Sequence, residues 1–138
     1  MNYDLIFYIA KKTGYCEKRI KRVLGTIGGE SHRIVSATSP TALGEEVTHS
    51  LRICPVAVII GGLRSLDDDN LATVLSRVFS IAGISLNNMR KLSAKSGAQG
   101  YIIRYSSQMI LALPDNPDDI ESMLSEEVLG YIKEKIGK

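Results

Sequence analysis

The sequence predicts an α/β fold: a three-layer αβα sandwich with a mostly parallel sheet and one antiparallel strand near the C-terminal hairpin. Three observations lead there. Short runs of branched and aromatic residues alternate with amphipathic stretches along the first 82 residues, the order that gives right-handed strand–helix–strand crossovers. The strand-like runs are apolar on consecutive positions, as strands covered by helices on both faces must be. Later, two such runs stand only three polar residues apart, which is hairpin spacing.

Asp4 to Ala10 contains Leu5-Ile6-Phe7-Tyr8-Ile9 and reads as the first strand. From Glu17, apolar residues at Ile20, Val23, Leu24 and Ile27 follow helical spacing, with Lys18, Lys21 and Arg22 off that stripe and Gly28-Gly29 ending it. His32 to Ala37 is a second strand. Ser39-Pro40 then offers an N-cap and a proline at the first helical position, and Leu43, Val47 and Leu51 continue as a helical stripe up to Pro55. Val56 to Ile60 is wholly apolar and is expected to be a central strand, broken by Gly61-Gly62. After Asp67-Asp68-Asp69, Leu71, Val74, Leu75, Val78, Phe79 and Ala82 predict a helix closed by Gly83. Residues 85–100, polar and without periodicity, read as a long surface loop. Tyr101–Tyr105 and Met109–Leu113 flank Ser106-Ser107-Gln108 as a hairpin. Asn116-Pro117-Asp118-Asp119 announces one final helix with Ile120, Met123, Leu124, Val128, Ile132 and Ile136 on its buried face.

At 138 residues, with no repeat, linker or low-complexity tract, the chain is expected to form a single domain over residues 1–138, large enough to bury its own core. Its longest apolar runs fall far short of the ~20 residues needed to cross a bilayer, so no membrane association is expected. The start Met1-Asn2-Tyr3-Asp4 lacks a secretory pattern, and a cytoplasmic location with reduced Cys16 and Cys54 is the expectation. Cys16, Cys54, His32 and His49 show no spacing typical of zinc. A net charge of +2 gives no argument for a nucleic-acid partner. The charge is lopsided, however, with Lys11, Lys12, Lys18, Arg19, Lys21, Arg22 and Arg33 in the first third and an acid-rich last 24 residues. The basic residues read as a solvated helix face, with an anion-attracting patch as the alternative.

Ligands of open parallel sheets bind outside the carboxyl ends of the strands. The segments expected there are the turn from Ser36 to Pro40, the stretch from Gly61 to Asp69, and Leu113-Pro114-Asp115-Asn116-Pro117. Gly61 and Gly62 would let backbone approach a phosphate or a flat heterocycle, or would simply make a tight turn. Asp68 and Asp69 are candidate ligands for a divalent metal such as magnesium, and hence candidate catalytic residues; carboxylates at a helix start are, more commonly, caps. No Gly-x-Ser-x-Gly turn appears, so acyl transfer by a serine is not expected.

These motifs resemble the molybdopterin-binding domain of molybdenum-cofactor biosynthesis proteins and of the amino end of competence-damage-inducible (CinA-like) proteins. The resemblance rests on Gly61-Gly62-Leu63 followed by Asp68-Asp69, and on Leu113-Pro114-x-Asn116-Pro117 opening a C-terminal helix. It implies a small-molecule ligand, a pterin (molybdopterin) or a nucleotide, and homo-oligomers. The implied site comprises Gly61, Gly62, Leu63, Arg64, Asp68, Asp69, Asp115 and Asn116. The similarity also implies an alternative, metal-dependent hydrolysis of a nucleotide pyrophosphate of the ADP-ribose type; retention of the glycines with loss of surrounding polar residues would suit a further alternative, a non-catalytic interaction domain. The chain departs from the pattern at Ile60, Leu66, Arg64 and Asp115, where the family has two threonines and two glycines, and at Thr38-Ser39, where it has an acid-rich turn. Asp115 beside Asp118 and Asp119 is expected to crowd three acids at one helix start and to oppose an anion there.

Overall fold

A computed structural model of the chain describes residues 3–62, 76, 89–105 and 108–136. Strand β1 (Tyr3–Tyr8) leads into helix α1 (Thr13–Gly25), strand β2 (Ser31–Ala37), helix α2 (Pro40–Ile53) and strand β3 (Val56–Ile60). Strands β4 (Met89–Ser93), β5 (Gln99–Tyr105) and β6 (Gln108–Leu113) follow, then helices α3 (Pro117–Met123) and α4 (Glu126–Ile136). The sheet order is β2-β1-β3-β6-β5-β4. β2, β1, β3 and β6 pair in parallel, and β5 runs against both of its neighbours. The α/β class, the parallel pairing and the single reversed strand are those expected from the sequence. The predicted helix over Leu71–Ala82 lies outside the described residues.

Successive side chains of a strand point to opposite faces, and here both faces are apolar. Leu5, Phe7, Val58, Ile60, Leu111 and Leu113 pack with Cys16, Ile20 and Leu24 of α1 and with Ile120, Met123, Val128 and Ile132 of α3 and α4. Ile6, Tyr8, Ala57, Ile59, Ile110 and Ala112 pack against Leu43 and Val47 of α2. Each fully buried aliphatic side chain contributes about 1.5–3 kcal/mol, so the two faces together hold the central strands in place.

The larger departures from the sequence expectation each have a local reason. Strand β1 ends at Tyr8, because Ile9 turns to φ 47° and is half exposed. Helix α1 begins at Thr13 rather than near Glu17; Lys12 precedes it in a left-handed conformation with no side-chain cap, so no capping signal marks the start. Residues 89–93 and 99–100 belong to β4 and β5 instead of a surface loop, joined by a tight turn in which the Ala94 amide bonds to the Ala98 carbonyl at 2.8 Å. β4 is an outer strand with Arg90, Lys91 and Ser93 exposed and Leu92 buried, and such charged edges hide their strand character. The final helix is two helices. Ser125 Oγ accepts the Val128 amide at 3.3 Å, and Glu126-Glu127 occupy the first turn, so a fresh N-terminus forms after Leu124.

Candidate functional site

Because β1, β3 and β6 are parallel and in register, their carboxyl ends, Tyr8, Ile60 and Leu113, lie at one edge of the sheet. The chain leaves β1 toward β2 on one side, while β3 lies on the other, so this edge contains the point where the strand order reverses. Three turns meet there. Gly61 donates its amide to the Leu113 carbonyl at 3.0 Å, which brings the double glycine against the segment that opens α3. The buried carboxylate of Asp115 accepts the Lys11 amide at 2.8 Å, fastening that segment to the turn after β1.

Gly61 has φ +105°, and a Cβ there would stand 2.3 Å from the Tyr8 carbonyl oxygen and 2.8 Å from Ala10 Cβ. Glycine is therefore required for the chain to pass the exit of β1. Gly62, at φ +74°, continues the bend. Ile9 and Lys12 have φ 47° and 55°, values that are uncommon for any residue with a Cβ and unfavourable for a branched one. Ile9, Lys11, Lys12 and Tyr15 are exposed around this turn, forming an apolar and cationic rim.

The acids at the opening of α3 are neighbours at one helix start, and each has a separate partner. Asp115 faces the Lys11 amide, Asp118 pairs with Arg19 at 3.1 Å, and Asp119 accepts Ser96 Oγ at 2.7 Å. Asp118 and Asp119 do stand in the first turn of α3 directly after Asp115, as expected, and each of the three carboxylates has its own partner. Asn116 caps α3 through its side-chain oxygen, which accepts the amides of Asp118 and Asp119 at 3.0 and 3.2 Å. Arg19 also reaches Glu121 at 3.5 Å, and Arg22 pairs with the same carboxylate. Part of the lopsided charge is thus complementarity between α1 and α3. Leu63, Arg64, Asp68 and Asp69 lie outside the described residues, as does any pairing of Arg64 with Asp115. Ser39, in the turn after β2, caps α2 by accepting the Ala42 amide at 3.1 Å.

A second polar cluster sits at the other edge of the sheet, at the amino ends of the strands. Asp4, fully buried at the start of β1, accepts Ser50 Oγ at 2.6 Å and Cys54 Sγ at 3.4 Å, lies 2.9 Å from His32 Nδ1, and pairs with Arg33 Nε at 3.4 Å. Burial alone would raise its carboxyl, but the Ser50, His32 and Cys54 contacts and the Arg33 charge outweigh that and hold it below the ordinary range. Burial, followed by the neighbouring Asp4 charge, pushes the Cys54 thiol up to about 11. Asp4, His32 and Cys54 present ligand atoms within 4.8 Å of one another, although their sequence spacing shows no metal pattern. The available signal was Asp4 itself, a carboxylate in a strand buried on both faces, which must find partners from elsewhere in the chain.

No sequence-family model matches the chain, nor does any curated protein. Solved structures do match in fold. The protein CinA from Thermoplasma acidophilum superposes with a TM-score of 0.75 at 17% identity, over 95% of this chain and 97% of that one. A structure of MogA gives 0.68 at 16% identity over 99% of both chains. A molybdenum cofactor biosynthesis protein B gives 0.65 at 11% identity, over 99% of this chain and 96% of its own. At these identities the likeness establishes a common fold, and it is the fold that the glycine and Leu-Pro-x-Asn-Pro motifs led one to expect. Among the described residues, no helix is long and apolar enough to cross a membrane.

Proposed function

We propose that the chain is a small-molecule-binding domain of the molybdopterin-binding type, taking a phosphorylated pterin or a nucleotide at the carboxyl edge of its sheet. The observation that carries this reading is the convergence of Ile9–Lys12, Gly61-Gly62 and Pro114–Asn116 at the reversal point, held by the Gly61–Leu113 and Lys11–Asp115 hydrogen bonds. Strained backbone at Ile9 and Lys12 beside that point supports it, because such conformations persist where surrounding structure enforces them and cluster at ligand sites. The common fold with MogA and the cofactor biosynthesis protein B supports the pterin class.

The committed polar groups narrow how the ligand would bind. Asp115 occupies the Lys11 amide and Asn116 occupies the amides of α3, so an anionic group would meet the side chains of Lys11, Lys12 and Arg64 rather than a bare helix end. Gly61, Gly62 and Leu63 would form the wall against which a flat ring lies. Asp68 and Asp69 are the residues that would hold a magnesium ion and bring it to a pyrophosphate, if the ligand carries one.

Calorimetry and thermal-shift measurements with a pterin, AMP and ADP-ribose, with and without magnesium, test this. At a ligand concentration about 100 times Kd, stabilisation of about 2.7 kcal/mol is expected, and the double variant Lys11→Glu, Lys12→Glu should reduce it. No shift with any probe at millimolar concentration would sink the reading. Release of AMP from ADP-ribose by the chain, lost in Asp68→Asn, would instead assign it an enzymatic role.

A further inference from the structure

We propose that Asp4, His32 and Cys54 form a binding site for a zinc-type divalent cation at the amino edge of the sheet. This inference is independent of the ligand crevice, which lies at the carboxyl edge. The three residues offer the oxygen, nitrogen and sulfur donors that zinc accepts. Asp4 Oδ1 stands 2.9 Å from His32 Nδ1 and 3.4 Å from Cys54 Sγ, and the three ligand atoms lie within 4.8 Å of one another. Metal–ligand bonds of about 2.0–2.3 Å in a tetrahedron place neighbouring donors about 3.3–3.7 Å apart. The carboxylate and imidazole would separate by a few tenths of an ångström, and no donor needs to move by much more than about 1 Å.

A supporting shell orients the carboxylate. Its other oxygen, Oδ2, is held by Ser50 Oγ at 2.6 Å and Arg33 Nε at 3.4 Å, which leaves Oδ1 facing His32 and Cys54. The charges also balance. A dication with one carboxylate and one thiolate is neutral, and the Arg33 guanidinium is matched by Glu46 at 3.0 Å. On binding, the Cys54 thiol gives its proton to solvent, and neutral His32 coordinates through Nδ1 with its proton on Nε2. The partly exposed His32 side leaves a fourth position for water. Thiolate and imidazole favour zinc or cobalt over magnesium, so this cluster differs in kind from the aspartates proposed for the crevice.

Titration of the metal-free full chain with cobalt(II) tests the site. One equivalent should bind with a thiolate-to-cobalt charge-transfer band in the near ultraviolet; zinc should displace the cobalt and raise the melting temperature. Cys54→Ser, which keeps a hydrogen-bond donor beside Asp4, should abolish the band, and His32→Ala should weaken cobalt binding at least tenfold. Absence of the band in the unaltered chain, or its survival in Cys54→Ser, would overturn the proposal. If Cys54→Ser proves unfolded by circular dichroism, unchanged cobalt affinity in the more exposed His32→Ala variant overturns it equally.

Discussion

At Gly61 two demands coincide: a positive φ, and a backbone approach that leaves no room for a Cβ beside the Tyr8 carbonyl. A Gly61→Ala substitution is therefore expected to cost more than about 2 kcal/mol, read as a lower urea midpoint with an unchanged slope. A cost below about 0.5 kcal/mol would show that the bend relaxes freely. The pairing of glycines was visible in the sequence, but its reason was not, because Tyr8 and Ala10 are more than 50 residues away along the chain. Cys16 offers a pH-dependent test. Burial first, and then the Asp115 charge, push its thiol up from the ordinary 9.0 to about 11. The folded state thus keeps a proton that the unfolded state releases. This contribution to stability is fully present below about pH 9 and is lost as pH rises to about 11, roughly 2–3 kcal/mol. Urea midpoints at pH 8 and pH 10.5 should fall less in Cys16→Ala than in the parent, and equal slopes in the two would contradict the assignment.

Elements here are set by their ends as much as by their stripes. Helix α3 is only seven residues long and relies on Asn116, whose side-chain oxygen holds two of its first amides. Asn116→Ala should lower stability by about 0.5–2 kcal/mol, while Asn116→Asp, which keeps the acceptor, should remain close to the parent in chemical denaturation. The signals that marked α2 and α3, Ser39-Pro40 and Asn116-Pro117, work because they act within one turn, and both were legible in the sequence. The start of α1 and the division between α3 and α4 were not. Lys12 initiates α1 without a capping side chain, and Ser125 interrupts an apolar stripe that continues through Met123, Leu124 and Val128 in a way sequence spacing alone accommodates.

Over the whole molecule, β1 and β3 are paired on both edges and covered on both faces, whereas β2 and β4 are the outermost strands of the described sheet. Native-state hydrogen exchange should therefore be slowest at Leu5–Phe7 and Ala57–Ile59, near the limit set by global unfolding, and faster by an order of magnitude or more in β4. Equal protection in β4 and β3 would mean that the sheet opens as one unit. The sequence by itself determined the α/β class, the parallel strands, the hairpin and the Ser39 and Asn116 caps, because each depends on periodicity or on contacts within a few residues. Only the tertiary structure decided that Asp115 spans to Lys11, that the acids at the opening of α3 pair with Arg19 and Ser96, and that the buried Asp4 and Cys54 meet the exposed His32 in one cluster. Those partners are brought together by parallel strand register and helix docking, and neither leaves a fixed spacing along the chain.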